Sequence, residues 1–192
     1  MRKSIVIKGF TTRIHDVCGK DPLREWMQNI FFHDGKIYAT NSHLAVRIPL
    51  ERFNFEPDEI NLLNGRHITA QQFALMFNKE IRLSVSSGKF EIDIPTLDIS
   101  VHTFNTRLTF EAMRQNPMSK LNELFSVDCK SEGTRTPLLS VGFMPAFAMT
   151  IAKALGTTGA CKFYFSAQNK PIIVEAQDET KPGLGFFMPV TI

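Results

Sequence analysis

Cysteine is scarce in this chain: there are three in 192 residues, at Cys18, Cys129 and Cys161, and no two share the C-x-x-C spacing. Such a pattern offers neither a zinc site nor a disulfide framework, and it predicts reduced, mostly buried thiols. Long apolar runs are missing as well. None approaches the ~18 residues that cross a bilayer, and residues 1–8 alternate apolar side chains with Lys rather than building a signal-peptide core. The expectation is a cytoplasmic chain with no membrane partner. Nor is there a block of like charge. The 22 basic and 19 acidic residues leave a net charge of +3, and five of one sign never run together. A protein that grips phosphates usually carries a Lys/Arg stripe, because each neutralised phosphate steepens the salt dependence by about 0.9 in log–log slope. Any contact with double-stranded DNA is therefore expected to be weak and non-specific.

What remains is ordinary globular composition, 43% hydrophobic and 21% charged, enough for one large domain or two small ones. Strand signals dominate. Residues 4–10 alternate, and residues 26–32 and 36–49 flank His33-Asp34-Gly35, where Asp-Gly between apolar segments signals a hairpin. Residues 81–85 and 89–94 read as a second hairpin, with Phe90, Ile92 and Ile94 on one face. Residues 161–166 and 171–176 form a third, residues 177–183 an exposed loop, and residues 185–190 a last strand.

Helices are fewer and short. Thr69 can cap a segment bearing Phe73, Met76 and Phe77 at helical spacing. Asn116-Pro117 reads as a cap and first turn before Met118, Leu121, Leu124 and Phe125. Residues 144–155 carry Phe147, Ile151 and Leu155 as a core stripe and end at Gly156, a C-cap residue, while residues 12–18 make a weak fourth helix. The order of elements suggests a pseudo-repeat. The fold class read from it is α+β, one module used twice as residues 1–104 and 105–192, each with short helices on antiparallel sheet.

One stretch within residues 36–49 is odd: Thr40-Asn41-Ser42-His43 interrupts an otherwise apolar strand. Catalysis is one explanation, but neighbouring Ser and His on a strand point to opposite faces, which is poor geometry for a hydrogen bond between them. His15, Asp16 and Cys18 are close in sequence yet lack a third orienting group. A small hydrolase using His43 or Cys18 is thus the weakest reading, and no metal or cofactor is expected.

Two motifs resemble a known family. Asn29-Ile-Phe-Phe32 followed by Ala39-Thr40-Asn41-Ser42-His43-Leu44-Ala45 resembles the N-x-x-F and A-T-D-G-H-R-L-A pattern in the middle domain of bacterial sliding clamps, the beta subunit of DNA polymerase III. Here Asn41 replaces the Asp, Ser42 replaces the Gly, and the Arg is missing. The C-terminal helix, the run Asn169-Lys170-Pro171-Ile-Ile-Val174 and the ending Phe186-Phe187-Met188-Pro189-Val190-Thr191-Ile192 resemble the clamps' final helix, K-P-like turn and M-P-M-R-L strand.

The resemblance implies a shortened, two-domain DNA clamp fold and a non-enzymatic processivity factor. In that family the two motifs line a pocket for short peptides of polymerases and other replication or repair proteins. Carried over, Thr40, Ser42 and His43 form the polar rim, and Leu44, Pro171, Val174, Met188, Pro189 and Val190 form the apolar part of the groove. The resemblance also implies helices turned toward duplex DNA, with Arg13, Lys20, Lys79, Arg114, Lys120 and Lys153 facing it. A clamp loader and a ring of three copies joined head to tail are further implied partners. The alternative is a monomeric peptide-binding module with the clamp fold that does not encircle DNA. Both require the hairpin of residues 34–50, which carries His43, and the Met188 strand, remote in sequence, to lie side by side.

Overall fold

The computed structural model describes residues 2–6, 12–53, 55, 57–74, 80–86, 89–96, 104–109, 111–112, 117–125, 141–157, 160–165, 170–177 and 183–190. The strands are β1 (Arg2–Val6), β2 (Asn29–His33), β3 (Lys36–Thr40), β4 (Leu44–Pro49), β5 (Arg66–Thr69), β6 (Glu80–Ser86), β7 (Lys89–Thr96), β8 (Phe104–Thr109), β9 (Glu111–Ala112), β10 (Cys161–Tyr164), β11 (Ile172–Ala176) and β12 (Leu184–Phe187). The α-helices are α1 (Pro57–Leu63), α2 (Ala70–Ala74), α3 (Met118–Phe125) and α4 (Pro145–Leu155). Two antiparallel sheets result, one in the order β1-β6-β7-β8 and one in the order β10-β11-β12-β4-β3-β2-β5-β9. The mixed α+β class and both early hairpins are as the sequence implies.

The β2–β3 hairpin forms where Asp-Gly stands. Asp34 and Gly35 have φ values of 47° and 65°, and two consecutive left-handed residues are what a tight hairpin turn of matching twist needs. Residues 36–49 differ from the expectation of one strand. They divide into β3 and β4, because Ser42 turns the chain at φ 77° and its polar neighbours bond to the turn rather than to a ladder.

Residues 26–32 also differ. Asp21 accepts a hydrogen bond from the Leu23 amide and Pro22 stands in the first turn, so two short 3-10 turns, separated by a kink at Arg24 (φ −125°), occupy Pro22–Gln28 and β2 starts only at Asn29. Residues 12–18 hold another, Ile14–Val17. Met76, Phe77, Lys79, Arg114, Asn116 and Cys129 lie outside the described residues.

The joint that matters for function is between β4 and β12. Leu44 pairs with Phe187, Ala45 with Phe186, Val46 with Gly185 and Arg47 with Leu184. Strands from near both ends of the chain thus share one eight-stranded sheet. The expected division between residues 104 and 105 falls within β8, which pairs with β7, and the larger sheet draws strands from both sides of that division.

Alternation along the strands sends side chains to two faces. On one, Phe32, Ile37, Leu44, Val46, Val174 and Phe187 join Ile151, Ala154 and Leu155 of α4 in the main core. Helix α4 ends at Gly156, whose φ of 66° is the left-handed C-cap the sequence implies. It sits so close to the sheet that a Cβ at Gly185 would collide with the Ile151 side chain and come within 3.3 Å of Val46 Cγ2. Gly185→Ala is expected to lower stability by about 1–3 kcal/mol through overpacking, read as a drop in thermal midpoint. An unchanged midpoint would mean that α4 can lift from β12 at no cost.

On the opposite face lies α3. Leu121 and Phe125 pack with Phe31, Tyr38, Ala45, Ile173 and Phe186. The Phe125 ring meets Phe186 edge-on at 5.1 Å and Tyr38 at 6.0 Å, and the Arg47 guanidinium lies 4.8 Å above it. The Tyr38 hydroxyl completes the contact by donating to Asn122 Oδ1 at 3.2 Å. The expectation that the helices all turn to one DNA-facing side does not hold, since α3 and α4 cover opposite faces of one sheet. Sequence stripes specify that a helix has an apolar face, and they leave open which face of a two-sided sheet receives it.

Candidate peptide-docking surface

The polar run Thr40-Asn41-Ser42-His43 builds the β3–β4 turn. Asn41 Oδ1 accepts hydrogen bonds from the backbone amides of His43 (3.0 Å) and Leu44 (2.9 Å). Thr40 Oγ1 donates to the Leu44 carbonyl at 2.7 Å and accepts from the Ser42 amide at 3.3 Å. Two polar side chains, Thr40 and Asn41, therefore satisfy one tight turn, the role that Asn and Thr play wherever side chains replace a ladder. Ser42 takes the left-handed conformation in which a β-carbon is disfavoured. Ser42→Gly is expected to raise stability by about 1 kcal/mol, since glycine adopts that φ freely. A lower melting midpoint in the variant would contradict this account of the turn.

The turn presents His43 outward. Its carbonyl accepts from the Met188 amide at 3.2 Å, which sets the end of β12 beside the turn, and its ring stacks on Phe147 at 6.2 Å with an interplanar angle of 17°. Val190 continues the chain past β12 by bridging to Gly142, whose carbonyl accepts from the Val190 amide at 2.9 Å. Phe143 follows, its ring 5.5 Å from Phe187. Around His43 and Phe147 the structure thus leaves large apolar side chains uncovered: Phe143 is 37% exposed, Met144 47%, Met188 38% and Val190 38%. Single exposed apolar residues need no explanation, whereas a connected group of them marks an interaction surface.

The implied groove residues divide between this surface and the core beneath it. Ser42, His43, Met188 and Val190 are exposed, and Pro171 and Pro189 are half-buried. Thr40 is 5% exposed with its hydroxyl engaged inside the turn, so it does not form a rim. Leu44 at 3% and Val174 at 0% belong to the main core. They point to the face that α4 covers, and so support the surface from below rather than wall it. Phe143, Met144 and Phe147 are additions that sequence reading missed. Phe147 packs against the main core, as its helical spacing with Ile151 and Leu155 implies, but its side chain is half-buried and its ring also meets His43. The neighbouring Phe143-Met144, large apolar residues immediately before the helix that Pro145 opens, is the signal that could have exposed it.

Behind the turn, an open cleft of about 460 Å³ is lined by Cys18, Lys20, Arg24, Met27, Ser42 and His43, among others. That volume lies in the range of ligand sites. Cys18 contributes little reactivity. Burial first, and then the Asp16 carboxylate, push its thiol up to about 12, and its Sγ lies 3.6 Å from the Asn29 carbonyl. At neutral pH it stays a thiol, and a thiol is a poor nucleophile. Burial lowers the pKa of His15, with Asp16 opposing that shift.

Among the described residues, the basic residues implied to face DNA do not all lie on one face of the larger sheet. Arg13 and Lys153 are neighbours, the Arg13 amide donating to the Lys153 carbonyl at 3.1 Å, and Arg13 also pairs with Asp16 at 2.7 Å. Lys20 lies in the cleft behind the turn. Lys120 belongs to α3, on the other face of the sheet from α4. Among the described residues no cluster of His, Cys, Asp or Glu could hold a metal ion, and no helix is long and apolar enough to cross a membrane.

No protein-family model and no curated protein matches the sequence. Among solved structures, the chain is similar to the C. crescentus beta sliding clamp, in a crystal structure with a PEG molecule bound to a proposed beta-motif tethering region. The TM-score is 0.50 and the identity 11%, and the match covers 100% of this chain and 66% of that one. The likeness is one of fold: the chain has a clamp-like arrangement and spans about two thirds of the clamp's length.

Proposed function

We propose that this protein is a sliding-clamp-like processivity factor that tethers a DNA polymerase, or other replication and repair proteins, through short apolar peptides docked beside His43. The observation that carries the reading is the β4–β12 seam, which brings the His43 turn against Met188 and leaves Phe143, Met144, Met188 and Val190 uncovered. A peptide surface of this kind needs a few apolar anchor positions, which supply most of the affinity, and polar groups at its edge. Methionine suits it because an unbranched thioether adapts to several partners. Tethering raises the local concentration of the polymerase at its template and asks for no chemistry from the chain, so no enzymatic activity is proposed.

The proposal extends to assembly around double-stranded DNA as a ring of three copies in the cytoplasm, loaded by a clamp loader. Primer extension by the replicative polymerase of the same cell tests it. The expected result is longer products when the chain is added, with DNA binding that ignores duplex sequence and fades as salt rises. Preference for one duplex sequence would oppose a sliding role. A second reading, a monomeric peptide-binding module on the same fold, is favoured by the placement of α3 opposite α4, which leaves no single basic helical face among the described residues. Unchanged product length together with peptide binding and a monomeric mass would select it.

A further inference from the structure

The cleft behind the β3–β4 turn carries charges that are not all matched. Asp16 lies 2.7 Å from Arg13 Nε, and Asp21 lies 3.7 Å from Arg24 Nε. Lys20 shares that cleft with Ser42 and His43. It is exposed and makes no ion pair among the described residues. His43 belongs to both regions, since its ring stacks on Phe147 of the apolar surface while it also lines the cleft. An extended segment lying over Met188 and Phe147 and continuing across the turn would pass from an apolar floor to an unmatched cation.

Resting on the peptide-docking reading above, we infer that the docked segment carries a carboxylate side chain beside its apolar anchors, and that Lys20 receives it. The cleft's other basic side chain, Arg24, already faces Asp21, so a second acid gains less from it than from Lys20. The pairing selects among partners more than it adds affinity. An exposed ion pair is weak alone, but an acid exchanged for a lysine replaces attraction by repulsion, and specificity grows from that difference. Lys20 is thereby moved from the residues expected to face DNA to the peptide site.

Two fluorescent peptides test the inference. Both carry Leu and Phe at alternate positions, which an extended chain presents to one face, and they differ only in Asp or Lys on the flank. The wild-type chain is expected to bind the Asp peptide about fivefold to tenfold tighter at low salt, and the gap should close in high salt. Lys20→Glu is expected to reverse the ranking while leaving the contribution of the Leu and Phe anchors intact. Equal binding of both peptides by the wild type would overturn the inference and leave peptide docking standing. Failure of both peptides to bind would remove the docking reading and this inference with it. A Lys20→Glu variant that loses duplex DNA binding but keeps the peptide ranking would return Lys20 to a DNA contact and overturn the inference too.

Discussion

Leu44→Asp is expected to abolish cooperative folding rather than to trim a binding site. Leu44 is 3% exposed, pairs across the seam with Phe187, and shares the main core with Val46, Ile48 and the buried face of α4. Losing that buried side chain removes about 1.5–3 kcal/mol of apolar transfer energy. An unpaired carboxylate in the same place adds a larger desolvation cost, which the group can lower only by taking up a proton. Against the roughly 5–15 kcal/mol that stabilises a typical domain, the sum leaves little. Thermal denaturation followed by circular dichroism should show no sharp transition for Leu44→Asp, and a reduced midpoint for Leu44→Ala, which costs about 2–5 kcal/mol at a buried site. A Leu44→Asp chain that melts like the wild type would move Leu44 out of the core and back to an exposed wall.

That outcome separates what the sequence discloses from what it hides. The Asp34-Gly35 turn is legible because two left-handed residues in a row are a local demand, met by few residue types. The pairing of residues 44–47 with residues 184–187 was reachable only through the resemblance of two short motifs to one family. No pattern within either segment encodes a partner so remote in sequence. Local rules also failed to assign Thr40, since a polar residue in a strand looks the same whether it faces a ligand or closes a turn. The division of the apolar residues between core and surface was the least legible part. Leu44 and Met188 are both apolar and both lie near the seam, yet one is buried against α4 and the other lies past the end of β12 with its side chain exposed. The face chosen by α3 depends on Phe125 finding Tyr38, Phe186 and Arg47, a contact set that exists only after β12 has joined β4.

Met188→Asp is expected to have the opposite profile, a stable fold and a lost surface. The side chain is 38% exposed, and the bond that fixes its position runs from the backbone amide to the His43 carbonyl, which substitution leaves in place. Stability should therefore stay within about 1 kcal/mol of the wild type, the usual range away from the core. Binding of the Leu- and Phe-containing peptides should fall by about thirtyfold or more, because truncating a central anchor costs about 2 kcal/mol or more and the new charge would be desolvated by any apolar segment laid over it. Met149→Asp supplies the control. Met149 is 60% exposed on α4, but it stands two positions from Phe147, on the opposite side of the helix, so peptide binding should survive there. Retention of full affinity by Met188→Asp, or equal loss in both variants, would show that the surface beside His43 does not hold the peptide, and the proposed tethering role would lose its structural basis.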